Sequence, residues 1–388
     1  MDRWYDAIIL GAGAAGLMCA IEAGKRGRRV LVLERAERIG KKILISGGGR
    51  CNFTNLHTSP DNFLSANPHF AKSALARYSP SHFIALIEKH RIRYHEKKLG
   101  QLFCDVSSQE IIYLLESECR TNGVEIETNS KVHSVRRQDD FAVQTDAGTL
   151  RAPKLVVACG GLSIPKIGAT SFGYDLGRQF GLTIRPPRPA LVPFVFDQAD
   201  QKRWCDLTGV STEVIASTPA TKEVFQEKML FTHCGVSGPA ILQISSYWKE
   251  GDPVYLDLAP NRDLKAERYG RNHGAIQWKS LLREILPRRL ADRWLEINPL
   301  TGTSERAFAA AERQLHRWEI VPKTTEGYRK AEVTAGGVDT GELSPQTLEC
   351  RRVPGLFFVG EVVDVTGQLG GFNFQWAWAS GFCAGQAI

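Results

Sequence analysis

Two short apolar runs near the start of the chain flank an alanine- and leucine-bearing segment. One run ends at Leu10 and the other ends at Leu33. Short apolar runs predict β-strands, and the alanine- and leucine-bearing segment predicts an α-helix. The opening of the chain therefore predicts a strand–helix–strand unit.

The remainder of the first half continues this mixture of helices and strands. Helical patterns cover 80–90 and 108–122, strand-like alternation covers 124–128, 131–136 and 142–145, and a buried strand is predicted over 155–158. A proline-rich segment at 185–189 then changes the composition, which predicts the exit from a first domain.

The second half changes from β-type runs to helices and then returns to α/β character. Short β-type runs occupy 191–196, 212–216, 222–225 and 254–258, and a helix is predicted within 238–248. Basic amphipathic helices are predicted over 278–286, 289–297 and 304–318. A last strand at 356–359 then precedes a helix that begins at Asn373. The α/β domain is therefore expected to be discontinuous, with other parts inserted between its halves. The predicted division is 1–187 and 336–388 for this α/β domain, 188–262 with a return strand in 321–335 for an inserted β-rich domain, and 263–320 for a small helical domain.

Composition narrows the class of protein. The 388 residues are 43% hydrophobic and 23% charged, which is typical of a globular enzyme. The net charge of +7 suits anionic cofactors or substrates, but it is spread along the chain, so nucleic acid is not indicated as a partner. The first predicted strand begins so early in the chain that we expect no signal peptide before it. No apolar run approaches the length that a membrane-spanning helix needs. We expect a cytoplasmic protein that does not bind membranes and whose oligomeric state stays open.

Nine cysteines are scattered without a Cys-x-x-Cys pair. This spacing favours small buried thiols in a reducing compartment, and we expect no metal site. A dithiol disulfide reductase is disfavoured for the same reason, because it needs two redox cysteines close together in sequence.

The turn after the first strand carries a dinucleotide-binding pattern. Gly11 permits the tight turn, Gly13 lets the backbone approach a pyrophosphate, and Gly16 lets the helix pack on the strand. The helix start offers free N–H groups and a favourable dipole to phosphates. Glu34, at the end of the second strand, can bind ribose hydroxyls.

Three further glycine-centred segments favour FAD over NAD. They are the loop from Ser46 to Asn52, the strand end at Cys159-Gly160-Gly161, and Gly360-Glu361 with the later segment 370–373. NAD needs only the first fingerprint, whereas an extended FAD needs several strand ends and a late helix. A helix start near Gly371 would place positive dipole against the pyrimidine side of the flavin.

Five longer motifs resemble the aminoacetone-oxidase-family FAD-binding enzymes, also described as YhiN/BaiN-type NAD(P)/FAD-dependent oxidoreductases. The motifs are Ser46-Gly-Gly-Gly-Arg-Cys-Asn-Phe-Thr-Asn55, Phe231-Thr-His-Cys-Gly-Val-Ser-Gly-Pro239, Ala331-Glu-Val-Thr-Ala-Gly-Gly-Val338, Gly360-Glu-Val-Val-Asp364 and Gly370-Gly-Phe-Asn-Phe-Gln375. The resemblance implies an α/β fold with a glutathione-reductase-like FAD-binding domain, an inserted β-barrel domain and a small helical domain. Phe372 stands where many relatives carry tyrosine.

The resemblance also implies which residues hold the cofactor. For the pyrophosphate and adenosine it implies Gly11, Gly13, Ala14, Ala15, Gly16, Glu34, Arg35, Val132, Ala158, Cys159 and Gly160, and for the ribityl chain and flavin it implies Lys42, Ser46, Gly47, Gly49, Arg50, Cys51, Asn52, Gly360, Glu361, Asp364, Gly371, Phe372 and Asn373.

The sequence offers fewer candidates for catalytic residues than for cofactor-binding residues. His233 suits proton transfer because its ordinary pKa lies near neutrality, although it could instead hydrogen-bond a barrel loop. Arg50 could polarise a substrate carbonyl or bind phosphate. Cys51 lacks a partner thiol, which argues against a nucleophilic role. Hydride can pass directly to or from the flavin without a protein nucleophile.

The expected function is an FAD-dependent oxidoreductase that is transiently reduced by NAD(P)H. It would pass hydride to a small or hydrophobic carbonyl or enone-type substrate, and the resemblance implies bile-acid-type 3-oxo compounds. No second G-x-G-x-x-G follows a strand, so no dedicated nicotinamide domain is expected. The alternatives are an amine oxidase of aminoacetone type that uses oxygen, and a flavin-dependent RNA-binding or RNA-modifying protein.

Overall fold

A computed structural model describes residues 3–269, 278–302 and 304–388. The chain divides into two compact units. The first unit comprises Met1–Arg188 and Val333–Ile388, and the second unit comprises Pro189–Glu332. Residues 270–277, within the predicted helical segment, lie outside the described residues.

The described strands and helices are numbered in chain order. The strands are β1 (Arg3–Trp4), β2 (Ala7–Leu10), β3 (Val30–Leu33), β4 (Asn52–Asn55), β5 (Phe63–Leu64), β6 (Tyr94–Glu96), β7 (Gln101–Cys104), β8 (Glu125–Glu127), β9 (Val132–Arg137), β10 (Phe141–Thr145), β11 (Gly148–Ala152), β12 (Lys154–Val157), β13 (Ile184–Ala190), β14 (Phe194–Val195), β15 (Ser211–Ser217), β16 (Phe225–Phe231), β17 (Gly235–Ser237), β18 (Val254–Asp257), β19 (Trp318–Ile320), β20 (Thr324–Thr325), β21 (Val333–Val338), β22 (Leu356–Phe358) and β23 (Thr366–Gly367). The helices are α1 (Ala14–Lys25), α2 (Lys41–Ile45), α3 (Ala71–Arg77), α4 (Pro80–Lys89), α5 (Gln109–Thr121), α6 (Phe172–Gln179), α7 (Gln198–Trp204), α8 (Pro239–Ser245), α9 (Leu264–Tyr269), α10 (Trp278–Ile285), α11 (Arg288–Ile297), α12 (Glu305–His316) and α13 (Phe372–Ala387).

A parallel five-stranded sheet forms the centre of the first unit. Its strand order is β22-β12-β2-β3-β8, and all neighbours are parallel. Every residue of β2 and β3 is buried, as expected for strands covered on both faces. Helix α1 connects β2 to β3 and packs closely on α13, because a Cβ at Gly381 would lie 2.3 Å from the carbonyl oxygen of Ala15. The predicted strand–helix–strand unit is confirmed.

Smaller sheets surround this centre. A four-stranded sheet has the order β1-β11-β10-β9, a three-stranded antiparallel sheet has the order β4-β7-β6, and two-stranded sheets pair β23 with β5 and β13 with β21. The proline-rich segment predicted as a domain exit lies in β13. Prolines are tolerated in this strand because it belongs to a two-stranded sheet, in which one edge of the strand needs no N–H donors.

The second unit contains a curled antiparallel sheet of seven strands in the order β19-β18-β15-β16-β17-β14-β20. Its core also includes residues of the helices, and the rings of Trp204, Trp294 and Trp318 pack against one another. The strand predicted over 222–225 is wrong, since β16 begins at Phe225. Strand β16 was missed because Glu227 occupies one of its buried positions, so the alternation of apolar and polar residues is interrupted there.

Other predicted elements of the second unit differ only at their ends. The helix predicted over 304–318 ends at His316, and Trp318 begins β19. The helix predicted to open at Pro239 is confirmed as α8. In the part of the chain that the structure describes, no helix has the length and apolar character needed to cross a bilayer.

Candidate functional site

The turn between β2 and α1 has three glycines with three different environments. Gly11 has a φ of 109°, and a Cβ there would lie 2.5 Å from the Ala158 carbonyl oxygen. A Cβ at Gly16 would lie 2.0 Å from the Gly11 carbonyl oxygen, so helix and strand touch through backbone alone. A Cβ at Gly13 would meet no atom of the described residues within 4 Å. The turn is closed where it packs and open where a ligand could approach.

Glu34 lies where β3 ends, next to this turn. Its Oε2 accepts a hydrogen bond of 2.9 Å from the Ala12 N–H, and its Oε1 accepts one of 2.8 Å from the Ala36 N–H. Each carboxylate oxygen can accept a further hydrogen bond. The backbone therefore fixes the carboxylate at the strand end with capacity left for ribose hydroxyls.

An open cavity of about 390 Å³ lies in front of these strand ends. It brings together the predicted residues Gly11, Gly13, Glu34, Arg35, Lys42, Val132, Ala158, Cys159 and Gly160. Several cations line it, including Arg38, Lys41 and Lys131, which favours a ligand with phosphates. Burial raises the pKa of the Cys159 thiol to about 12, so it stays protonated near neutrality.

One wall of the cavity was absent from the sequence prediction. Ser163 and the run 167–172, which ends at the first residue of α6, line it. Ile164 and Gly168 both have positive φ in this segment, and positive φ is rare for a β-branched residue. The available signal was the recurrence of glycine at Gly160, Gly161 and Gly168 after a buried strand.

A polar cluster joins Lys42 to the C-terminal part of the first unit. The Lys42 Nζ lies 2.6 Å from the Glu361 Oε2 and donates a 2.5 Å hydrogen bond to the Ser163 Oγ. The Glu361 Oε1 accepts hydrogen bonds from the Ser163 hydroxyl (3.1 Å) and the Thr334 N–H (2.9 Å). The Thr334 hydroxyl oxygen in turn accepts from the N–H groups of Ser163 and Leu162. Ser163 and Thr334 were not predicted.

The glycine loop, defined as residues 46–49, follows α2. Gly47, Gly48 and Gly49 all have positive φ, and a Cβ at Gly48 or Gly49 would meet no described atom within 4 Å. Cys51 follows in a left-handed conformation, and its side chain is fully buried. Burial raises the pKa of the Cys51 thiol far above its ordinary value, which argues for packing rather than nucleophilic chemistry.

The start of α13 closes against this loop. With its amide oriented to satisfy its partners, the Asn52 side chain accepts from the Gly371 N–H at 3.1 Å and donates to the Leu102 carbonyl. Gly371 has a φ of 98°, and a Cβ there would lie 2.5 Å from the Thr54 carbonyl oxygen. Gly371 must be glycine for both reasons.

Phe372 and Asn373, the first two residues of α13, also stabilise the start of this helix. The Phe372 ring packs edge-to-face on Phe63 with centroids 6.3 Å apart. The Asn373 amide donates to the Gly367 carbonyl at 2.8 Å, and its oxygen accepts from the Gly367 N–H at 2.8 Å. Gly360 is held by α13, because its N–H donates to the Ser380 Oγ at 3.0 Å. Asn52, Phe372 and Asn373 thus lie at the first turn of the sixteen-residue helix α13, and Gly360 contacts the same helix further along, at Ser380.

The two catalytic candidates are both exposed. The Arg50 guanidinium forms no ion pair with the described residues. His233 lies in the second unit on the turn between β16 and β17, where Thr232 Oγ1 accepts from the Gly235 N–H at 3.1 Å. The described residues offer the His233 imidazole no hydrogen bond, and the Thr232 hydroxyl accepts from the N–H groups of Cys234 and Gly235 in this turn.

These features fit FAD. The open glycine positions, the strand-end carboxylate and the cationic cavity suit an adenosine diphosphate, and the α13 start suits a flavin ring with its developing negative charge. Lys42 would connect the two ends, since it lines the cavity and pairs with Glu361.

Residues 5–387 match the family described as HI0933-like protein Rossmann domain. The chain belongs to this family. The predicted resemblance is thereby confirmed, and the protein is a flavoprotein of an FAD-dependent oxidoreductase family.

Three curated relatives extend over nearly all of the chain. A ribosomal RNA dihydrouridine synthase of Escherichia coli is 47% identical over 396 residues, covering 100% of this chain and 98% of that protein. A Haemophilus influenzae protein of the same name is 45% identical, covering 100% and 99%. A 3-dehydro-bile acid delta(4,6)-reductase of Clostridium scindens is 31% identical, covering 98% of both.

Solved structures support the fold. A 3-ketosteroid-delta4-(5alpha)-dehydrogenase from Rhodococcus jostii superposes with a TM-score of 0.51 at 14% identity, covering 99% of this chain and 97% of the other. A quinol-fumarate reductase superposes with a TM-score of 0.53 at 16% identity, covering 100% and 71%. At such low identity these similarities show the shared fold alone.

Replacing Glu34 with alanine is expected to weaken FAD binding by about 1–3 kcal/mol, because hydrogen bonds to a charged partner are lost. The matched control is Glu250→Ala, which removes an exposed carboxylate in the second unit. Titration of the apoproteins with FAD, followed by flavin fluorescence, measures the affinity of each variant for FAD. Equal affinities for the two variants would refute the ribose role of Glu34.

Asp364 provides a pH-dependent prediction. Burial raises the pKa of its carboxyl above the ordinary value, with Asp339 acting in the same direction and the Ala66 N–H and Arg185 opposing it. The folded protein therefore holds this proton more tightly than the unfolded chain, and the stability it contributes at low pH is lost as pH rises through the raised pKa.

We expect Asp364→Asn to melt at higher temperature than the wild type near neutrality. The advantage should shrink as the pH falls from neutrality through the raised pKa, because the wild-type carboxyl then becomes protonated. Asparagine keeps an acceptor for the Ala66 N–H. Thermal unfolding of both proteins across this pH range is the measurement, and an advantage that is largest at low pH would contradict the assignment.

Proposed function

We propose that this flavoprotein reduces uridine to dihydrouridine in ribosomal RNA, with NAD(P)H as the reductant. The observation that carries the proposal is the identity of 47% and 45%, over essentially whole chains, to two proteins named ribosomal RNA dihydrouridine synthase. Composition did not indicate nucleic acid as a partner, and the names of these two relatives support RNA as the proposed substrate.

The relatives' names describe one type of chemistry. Dihydrouridine is uridine with its C5–C6 double bond reduced, and that bond is conjugated to the C4 carbonyl. A 3-dehydro-bile acid carries a 3-oxo group, and its 4,5 double bond is conjugated to that carbonyl in the same way. Both reactions add a hydride to a carbon conjugated with a carbonyl and a proton to the neighbouring carbon. This supports the carbonyl or enone-type substrate expected from the sequence.

FAD held by the residues described above would supply the hydride-transfer chemistry. The chain must then bind the uracil, hold its C4 carbonyl and deliver one proton to C5. We assign the proton to His233, whose imidazole the described residues leave without a hydrogen bond. The exposed Arg50 guanidinium suits either the C4 carbonyl or a phosphate of the RNA.

The test uses purified holoenzyme, NADPH or NADH, and ribosomal RNA from a strain that lacks the corresponding gene. Anaerobic bleaching of the flavin by a nicotinamide, followed by dihydrouridine in the nuclease digest by mass spectrometry, is the expected result. Bleaching only by an amine would favour the amine oxidase instead and contradict the proposal.

A second candidate is reduction of a 3-oxo steroid or bile acid, which the 31% identical Clostridium relative favours. The same assay includes a 3-oxo-4-ene steroid in place of RNA. Turnover of the steroid without any dihydrouridine in RNA would favour this candidate.

A further inference from the structure

The hairpin of β6 and β7 ends in an exposed tip, which we define as residues 97–99. Its sequence is Lys97-Lys98-Leu99, and all three residues are exposed. Leu99 is 61% exposed and has a φ of 51°, a left-handed conformation that residues with a Cβ rarely adopt. A large apolar side chain is thus held in solvent by a turn that a glycine would form more easily.

The tip is fixed to the flavin end of the site by one buried amide. The Asn55 Nδ2 donates to the Leu99 carbonyl at 3.1 Å and to the Gly370 carbonyl at 2.9 Å. Asn55 is 1% exposed, and Gly370 immediately precedes the cap of α13. Leu99 therefore has a set position relative to the residues assigned to the flavin.

A second exposed leucine accompanies Leu99. Leu56 is 45% exposed, and its N–H donates to the carbonyl of Gly100 at 2.9 Å. Gly100 follows Leu99 directly, and a Cβ at Gly100 would clash with Asn55 and His57. Leu56 and Leu99 are thus two exposed apolar side chains carried by closely packed backbone.

Cations extend from the tip toward the glycine loop. The Lys97 Nζ lies 5.4 Å from the centre of the Phe103 ring, and a Cβ at Gly47 would touch that same ring. Arg50 and Arg93 are also exposed, and their carbonyls accept hydrogen bonds from the N–H groups of Cys104 and Asp105, which follow Phe103. The nearby carboxylates are engaged, since Glu96 accepts from the Gly100 N–H and Asp105 pairs with His95. The surface is positively charged where it meets the loop.

We propose that the tip is an RNA wedge, in which Leu99 enters the base stack at the place vacated by the target uridine. Lys97 and Lys98 bind the phosphates that flank it. The inference rests on the proposed function. A base inside a stack cannot present its C5–C6 bond to a flavin, so it must leave the stack, and apolar side chains are the groups that separate stacked bases. The flanking lysines supply the sequence-independent affinity for the backbone.

Leu99→Ala and Leu99→Met holoenzymes test the wedge. The substrates are a folded ribosomal RNA fragment containing the modified uridine and a short unstructured oligonucleotide of the same sequence. We expect Leu99→Ala to lose about tenfold or more in kcat/KM on the folded fragment and much less on the oligonucleotide. The reason is that only in the folded RNA does removing the uridine from its stack cost free energy. Leu99→Met keeps apolar bulk and should retain most of the activity. Val224→Ala, which shortens a 60% exposed aliphatic side chain in the second unit, is the matched control and should equal the wild type.

The double variant Lys97→Ala/Lys98→Ala tests the phosphate contacts. It should raise KM for both RNAs and lower the slope of log affinity against log salt by about two. The control Arg26→Ala/Arg28→Ala removes the same charge from exposed residues after α1. Equal effects of the two double variants would show that only net charge matters and would overturn the lysine assignment.

The outcomes separate the two proposals. If the wild type forms no dihydrouridine in either RNA, the proposed function fails. If the wild type is active and Leu99→Ala loses activity equally on both RNAs, or behaves like Val224→Ala, the wedge is wrong although the function stands. Flavin content and melting temperature of each variant identify any loss that comes from misfolding.

Discussion

A Gly13→Val protein is expected to fold and to lose FAD. The backbone at Gly13 has a φ of −85°, which any residue can adopt, and a Cβ there meets no described atom within 4 Å. The added side chain would stand in the cavity where the pyrophosphate has to approach the N–H groups at the start of α1. We expect the Kd for FAD to rise by about 100-fold or more, which corresponds to about 2.8 kcal/mol.

The contrast is with Gly16→Ala in the same turn. Its single methyl group would lie 2.0 Å from the Gly11 carbonyl oxygen, so the backbone itself must move. This variant should lose stability as well as FAD, whereas Gly13→Val should lose FAD alone. Flavin absorbance after gel filtration and thermal unfolding of the apoproteins measure the two effects. A yellow Gly13→Val protein with wild-type stoichiometry would overturn the placement of the pyrophosphate.

Lys42→Met should destabilise the protein by about 1–3 kcal/mol. Among the described residues, the substitution leaves the Glu361 carboxylate with the neutral donors Ser163 and Thr334. The value is below that of a fully buried pair, because the side chains of Lys42 and Glu361 remain 32% and 18% exposed.

The double variant Lys42→Met/Glu361→Gln should recover part of that loss, since it removes the uncompensated charge. Urea unfolding of the wild type, both single variants and the double variant forms a thermodynamic cycle. We expect a coupling energy of about 1–2 kcal/mol. Additive losses would show that the ion pair contributes nothing beyond its separate contacts.

The strongest sequence signals were those that depend only on local chemistry. Strands β2 and β3 were visible because both are continuous apolar runs, and α5 was visible because it ends at Asn122-Gly123. The glycine spacing at 11, 13 and 16 predicted a dinucleotide, and the longer motifs predicted the family to which the chain belongs.

Features that depend on distant partners were not predicted. Ser163 carries no motif, and the motif that contains Thr334 assigned it no role; the two residues are 171 positions apart, yet both contact Glu361. The strand β16 was misplaced because Glu227 occupies an inward position, which apolar alternation cannot reveal. Leu99 gave no signal at all, since its meaning depends on exposure and on the buried Asn55 beneath it.

The sequence by itself determined the class of fold, the dinucleotide turn and the family, because these follow from short-range periodicity and from contiguous motifs. The tertiary structure decided which of the glycines pack and which stay open, and how Lys42 links the cavity to Glu361. It also decided that the tip at 97–99 lies beside Gly370, which is 271 residues beyond Leu99 in sequence. Such contacts are set by the packing of whole elements against one another, and no local pattern of residues encodes them.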